Sequence, residues 1–271
     1  MISDITLGQF YKADSVIHRM DARMKIILTV VFVVIIFLCK TPLSLALMFL
    51  LTAASMLLSR VPLKLFFKSL KPILPIILFT AAINIFYSDK GTLLWEWKRI
   101  SVTTGGLFTA GFIVARLVCL ILCSSILTYT TVPTQLTDAI ERLLSPLKVF
   151  HIQVHTLAMM MTLALRFIPT LIEEIERIMN AQKARGADFE SGSFLQRVRA
   201  MIPVLIPLFV SAFRRAYELS FAMSCRCYHG GDGRTRMKQM KLHLRDVLAL
   251  ALFALATAGV VVLNHFFEPV I

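Results

Sequence analysis

Residues 26–59 read IILTVVFVVIIFLCKTPLSLALMFLLTAASMLLS, an apolar block whose single charge, Lys40, is followed at once by Thr41 and Pro42. As one helix the block would be about 50 Å long, against a bilayer hydrocarbon core of about 30 Å, so it reads as two spans that turn back at Lys40 to Pro42. The first arm is short, which places its start nearer Arg23, with Arg23 and Lys25 snorkelling to the headgroups. Spans are therefore expected near 24–39 and 43–59.

Outward from this hairpin the chain keeps the same character. Of its 271 residues 57% are hydrophobic and 17% charged, with a mean hydropathy of +0.75, a balance that excludes an ordinary soluble domain. Arg60, Lys64, Lys68 and Lys71 alternate with Leu63, Leu65, Phe66, Phe67 and Leu70 as an amphipathic helix at the membrane surface. A third span is expected at 72–87, with Pro75 inside it and Asn84 near its end. The loop to residue 106, with Trp95 and Trp97, suggests an interfacial anchor and a small hairpin. A fourth span, 107–129, holds Arg116, an intramembrane charge that is either functional or structural, paired with a neighbouring helix or snorkelling.

From residue 132 charges become frequent while apolar residues persist at helical spacing. The pattern predicts a short helix from Pro133 through Lys148 and two long ones, 150–187 and 194–228. Their second halves carry Glu173, Glu174, Glu176, Arg177, Lys183 and Arg185, and Arg214, Arg215, Glu218 and Arg226. Both are placed largely at the cytoplasmic face. A last span follows at 247–267. The fold class is thus an all-α integral membrane protein with about five transmembrane helices plus long amphipathic cytoplasmic helices. It divides into a transmembrane part (1–131), the cytoplasmic helices (132–242) and a carboxy-terminal span (243–271). The net charge of +13 gathers on the segments predicted inside, which puts the amino terminus in the cytoplasm and removes nucleic acid as a partner.

Catalytic signals are sparse. Gly230, Gly231 and Gly233 with Arg234 and Arg236 lack the spacing and lysine of a phosphate loop, so no ATP hydrolysis and no cofactor are expected of this chain itself. His151 and His155 stand four apart with no glutamate between them and no third ligand in view, so no metal is expected. Cys119 and Cys123 lie one helical turn apart and suit helix packing. The five cysteines are read as free thiols, and no cleaved signal peptide is expected.

The informative feature is a quasi-repeat. Asn180 to Gly186 (NAQKARG) and Phe221 to Cys227 (FAMSCRC) each end a long helix with an arginine between small residues. Small neighbours admit a partner's backbone, and a guanidinium at a helix C-terminus complements the dipole while leaving its forked donors free. Two readings stand: arginines that merely cap two helices, or two tips that dock on a partner with two similar grooves.

With Ala184, Arg185 and Gly186 in full, and Arg226 between Cys225 and Cys227, the chain resembles the transmembrane T component of energy-coupling factor (ECF) ABC transporters, the EcfT/CbiQ-like family. Ser15 to Lys25 (SVIHRMDARMK) resembles that family's amino-terminal sequence, with Ala22 where proline is usual, and the likeness takes in Pro72, Asn84 and Thr131 to Pro133. The resemblance implies a subunit of a bacterial plasma-membrane importer for vitamins or related micronutrients. Its implied partners are two ABC-type ATPase subunits, which bind the ATP, and a substrate-binding membrane S component. It also implies that Ala184, Arg185, Gly186, Cys225, Arg226 and Cys227 dock the ATPases and that the two long helices couple their closure to the S component. Met159, Met160, Met161, Met179, Met201 and Met223 along those helices suit surfaces that repack against several partners, or simply fill a core. The competing readings are a stand-alone channel or carrier using Arg116, and an intramembrane enzyme on His151 and His155.

Overall fold

The computed structural model describes residues 10–87, 93–97, 100–150, 153–189, 191, 193–230 and 242–266. Nine α-helices are described: α1 (Ala22–Leu38), α2 (Pro42–Ser59), α3 (Leu63–Leu70), α4 (Leu74–Tyr87), α5 (Thr104–Thr130), α6 (Pro133–Leu143), α7 (Val154–Ala184), α8 (Phe194–Cys225) and α9 (Leu244–Phe266). A two-stranded antiparallel hairpin, β1 (Leu93–Trp97) with β2 (Ile100–Thr103), is the exception to the helical pattern among the described residues. The side chains of Trp95 and Trp97 lie outside the described residues. The chain forms two compact units, one of residues 8–139 with 239–271 and one built on residues 140–238.

In the first unit the expected break falls where the sequence places it, but α1 and α2 pack chiefly on α5 and α9 rather than on each other. Thr41 caps α2 by accepting from the Ser44 N–H at 3.2 Å, with Pro42 in the first turn, where its missing N–H costs nothing. Helices α1, α2, α5 and α9 bury Phe32, Ile35, Ile36, Cys39, Leu45, Met48, Phe112, Cys119 and Val260 in one core. Helix α3 seats Phe66 edge-on against Tyr129 at 5.5 Å, and the Tyr129 hydroxyl donates to the Leu65 carbonyl at 3.0 Å. Helices α3 and α4 meet at a bend of 59°. Where α4 passes α5, a Cβ on Gly106 would lie 3.2 Å from the Ile85 carbonyl oxygen, so a larger residue would push the two backbones apart by a few tenths of an ångström.

Both ends of α1 are held by polar contacts. At its start Asp21 accepts from the Arg23 N–H at 2.9 Å and pairs with the Arg23 guanidinium at 2.7 Å, while the Asp21 N–H donates to fully buried Asp246 at 3.1 Å. Lys25 is 6% exposed; its Nζ donates to the Thr130 carbonyl at 2.8 Å, and to Thr131 Oγ1 and the His18 carbonyl at 3.4 Å each. This corrects the snorkelling expectation. The two cations turn inward because the final carbonyls of α5 and the carboxylates of Asp21 and Asp246 offer partners that water would otherwise supply. The segment before α1 packs on the same end: Tyr11 N–H donates to the Tyr129 carbonyl at 2.9 Å, and His18 Nε2 reaches the Tyr11 carbonyl at 2.9 Å. Burial pushes the His18 imidazole below its usual value, which favours the neutral ring that donates there and accepts from Ser15 at Nδ1.

At the far end of α1, Asn264 donates to the Leu38 carbonyl at 2.7 Å and Arg116 donates to the Cys39 carbonyl at 2.6 Å. The Arg116 guanidinium also lies over the Phe112 ring at 4.9 Å. Arg116 thus serves as a helix cap within the bundle.

In the second unit α6 ends at Leu143, short of the expected Lys148, and Pro146 falls in a 3₁₀ turn, Ser145–Phe150, that replaces its last turn. Helices α7 and α8 stop at Ala184 and Cys225, about three residues before the expected ends. By length and apolar composition α2, α5, α7, α8 and α9 could each cross a membrane. Helix α1, at 17 residues, is about 26 Å long, short of the hydrocarbon core.

Asp246→Ala leaves the Asp21 and His243 N–H groups without their buried acceptor and should cost about 3 kcal/mol. Thermal unfolding in detergent checks this: the midpoint falls well below that of the exposed control Glu218→Ala, and equal midpoints would remove the role given to this contact.

Candidate functional site

The two arginines singled out by sequence stand on the same backbone. At the end of α7 the Gly186 N–H donates to the Lys183 carbonyl at 3.0 Å and the Ala187 N–H to the Gln182 carbonyl at 3.0 Å. At the end of α8 the Cys227 N–H donates to Ser224 at 2.9 Å and the Tyr228 N–H to Met223 at 3.0 Å. Each is a Schellman close, with Arg185 or Arg226 at the C-cap and the next residue left-handed: Gly186 at φ +89° and Cys227 at φ +56°. The second tip thus keeps the glycine conformation without the glycine. A left-handed L-residue costs about 1–2 kcal/mol, and the paired hydrogen bonds sustain it here. Ala184, Arg185, Gly186, Cys225, Arg226 and Cys227 are all exposed.

Two contacts set how α7 and α8 lie together. Glu174 accepts from the Arg215 guanidinium at 2.7 Å and from the Ser211 hydroxyl, and the Tyr228 hydroxyl donates to Met159 Sδ at 2.9 Å. Residue numbers rise along one helix as they fall along the other, so the pair is antiparallel. Arg185 and Arg226 each lie eleven residues beyond the Glu174–Arg215 contact in opposite directions, which separates the tips by about 33 Å along the pair. Each arginine therefore faces its own surroundings, and one shared groove cannot hold both. Along α8, Ile206, Val210, Phe213, Tyr217 and Phe221 form an exposed apolar stripe that ends five residues before Arg226.

The remaining sequence candidates part company. His155 Nδ1 is 3.0 Å from Glu141 Oε1, an acid from α6 that the sequence did not point to, while His151 lies outside the described residues. Among the described residues no three metal-ligating side chains gather. The glycine-rich stretch at 231–236 also lies outside the described residues. Of the five cysteines, Cys39 and Cys119 are buried, Cys123 is half-buried, and Cys225 and Cys227 are exposed. Sequence reasoning missed Glu174, Ser211 and Arg215: the two acids beside Glu174 offered no way to choose among them, and the partners stand about forty residues away.

A family model described as "Cobalt transport protein" matches residues 13–238. The energy-coupling factor transporter transmembrane protein EcfT of Ruminiclostridium cellulolyticum is 49% identical over 98% of this chain and 100% of its own length. This chain belongs to the EcfT family. The EcfT of Acidaminococcus fermentans is 49% identical over 94% of this chain and 96% of its own, and that of Limosilactobacillus fermentum 44% identical over 95% and 96%. Membership makes the protein an integral membrane component of the energy-coupling factor transporter type, in agreement with the resemblance read from its arginine tips and amino-terminal segment.

Cys227→Gly relieves the left-handed strain without touching Arg226. The last turn of α8 should open less often, by about fivefold for a gain of about 1 kcal/mol, read as slower amide hydrogen exchange at Cys227 and Tyr228. Unchanged exchange would mean that Cys227 carries no strain.

Proposed function

We propose that this EcfT-family protein is the energy-coupling subunit of a plasma-membrane importer for vitamins or related micronutrients. Its amino terminus lies in the cytoplasm. The observation that carries the reading is the pair of matched arginine tips held about 33 Å apart. Each guanidinium, with its C-terminal dipole and forked donors, docks in a groove of one ABC-type ATPase subunit against acidic side chains. The two ATPases bind and hydrolyse ATP, and this chain supplies no catalytic group. When the ATPase pair closes, the tips are driven toward each other, and the antiparallel helices turn about the Glu174–Arg215 contact. The apolar stripe of α8 offers a surface to an apolar membrane partner, the substrate-binding S component, whose reorientation completes transport.

Docking is tested by co-purification with the ATPase subunits. Arg185→Glu and Arg226→Glu should each lower capture by at least about tenfold, with the larger loss at Arg185, whose motif is complete, and the double variant should not assemble. A double variant that still assembles and supports ATP-dependent uptake contradicts the reading. The lever is tested apart from docking by Glu174→Ala in the assembled transporter. ATP hydrolysis should continue while uptake falls, and proportional loss of both would assign Glu174 to assembly.

A further inference from the structure

The second tip differs from the first in one chemical respect. Tip 1 presents Ala184 and Gly186 beside its arginine, whereas tip 2 presents two thiols, Cys225 and Cys227. They are the two exposed cysteines of the five; Cys39 and Cys119 are buried in the helical core. Both thiols flank Arg226 at the helix end and are exposed, and Cys227 is held in the left-handed region. A guanidinium docking in a groove needs small neighbours on both sides, and a thiol is the small neighbour whose size and charge a redox reaction can change reversibly.

We propose that Cys225 and Cys227 form a thiol-modification site that takes low-molecular-weight disulfides and so controls docking at tip 2 alone. This rests on the reading of Arg226 as a docking residue. The thiolate of either cysteine attacks one sulfur of the disulfide R–S–S–R. A new S–S bond joins the cysteine to one R–S group, the original S–S bond breaks, and the other R–S leaves as a thiolate that takes up a proton. The cysteine is oxidised, one half of the disulfide is reduced, and a second thiol reverses the step. With glutathione disulfide the adduct adds a tripeptide with carboxylates beside Arg226, filling the space that a groove would occupy and offsetting its charge. Tip 1 has no thiol and is unaffected. Docking itself covers the thiols, so the undocked chain is the one that reacts.

The test uses the full chain in detergent micelles, treated with glutathione disulfide and mapped by peptide mass spectrometry, then captured on the immobilised ATPase subunits before and after dithiothreitol. Adducts are expected on Cys225 or Cys227 and not on Cys39 or Cys119. Capture should fall by about tenfold, the equivalent of about 1.4 kcal/mol, and dithiothreitol should restore it. The Cys225→Ala/Cys227→Gly chain, whatever its own capture level, should give the same value with and without oxidant. Absence of adducts at both thiols, or equal capture of modified and reduced chain, overturns the proposal. A separate comparison without oxidant isolates the docking reading: if reduced wild type and Arg226→Glu are captured equally, that reading fails and the thiol control falls with it.

Discussion

The buried cation Lys25 and its surroundings set the frame for the rest of the membrane unit. Within lipid there is little hydrophobic drive for one helix to choose another, so packing of small and branched side chains and the pairing of polar groups decide the arrangement. Lys25 donates to the last carbonyl of α5 and lies near Asp246 at the start of α9, while Asp21 caps α1 and bonds Asp246. Three helix ends are thereby fixed at one level. Arg116 and Asn264 satisfy the opposite end of α1, so this short helix is held by groups of α5 and α9 at both termini. An intramembrane arginine that invites a transport reading is here occupied by a backbone carbonyl and an aromatic ring.

The second unit follows a different logic. Its helices expose much of their apolar surface and join through a carboxylate shared by Ser211 and Arg215 and through the Tyr228–Met159 contact. A pair whose helices leave much of their apolar surface uncovered can change its angle at lower cost than one with an interdigitated core, which would suit the proposed lever. The two Schellman closes at its ends are local structures, so in the proposed lever each tip would keep its shape if the pair changed its angle.

Much of this was legible in the sequence for physical reasons. The run at 26–59 is too long for one span and too apolar for water, so its turn at Lys40 to Pro42 had to form. The two helix-ending arginines were legible because each sits between small residues where an amphipathic pattern stops, and both stand at C-caps. The inward turn of Lys25 was not, because its surroundings include Asp246 and Thr130, more than a hundred residues away, and a cation at a span boundary reads as snorkelling when no partner is in view; the partner of Arg23, Asp21, stands two residues before it. Asp246, a lone acid just before an apolar run, was the available signal. The Glu141–His155 pair was hidden in the same way, since the histidine's partner comes from another helix. Helix ends were overrun by a few residues because apolar periodicity continues past the point where a left-handed residue closes the helix.

In the proposed two-tipped lever of α7 and α8, the distance between the tips is the direct measure of its motion. Spin labels at Lys183→Cys and Ser224→Cys in an otherwise cysteine-free chain, assembled with both ATPase subunits, would report it by pulsed electron resonance. The proposed lever predicts a separation on the order of 27 Å along the pair between these two positions without nucleotide, shortening when ATP closes the ATPase pair. A distance that stays fixed through the ATP cycle would contradict it.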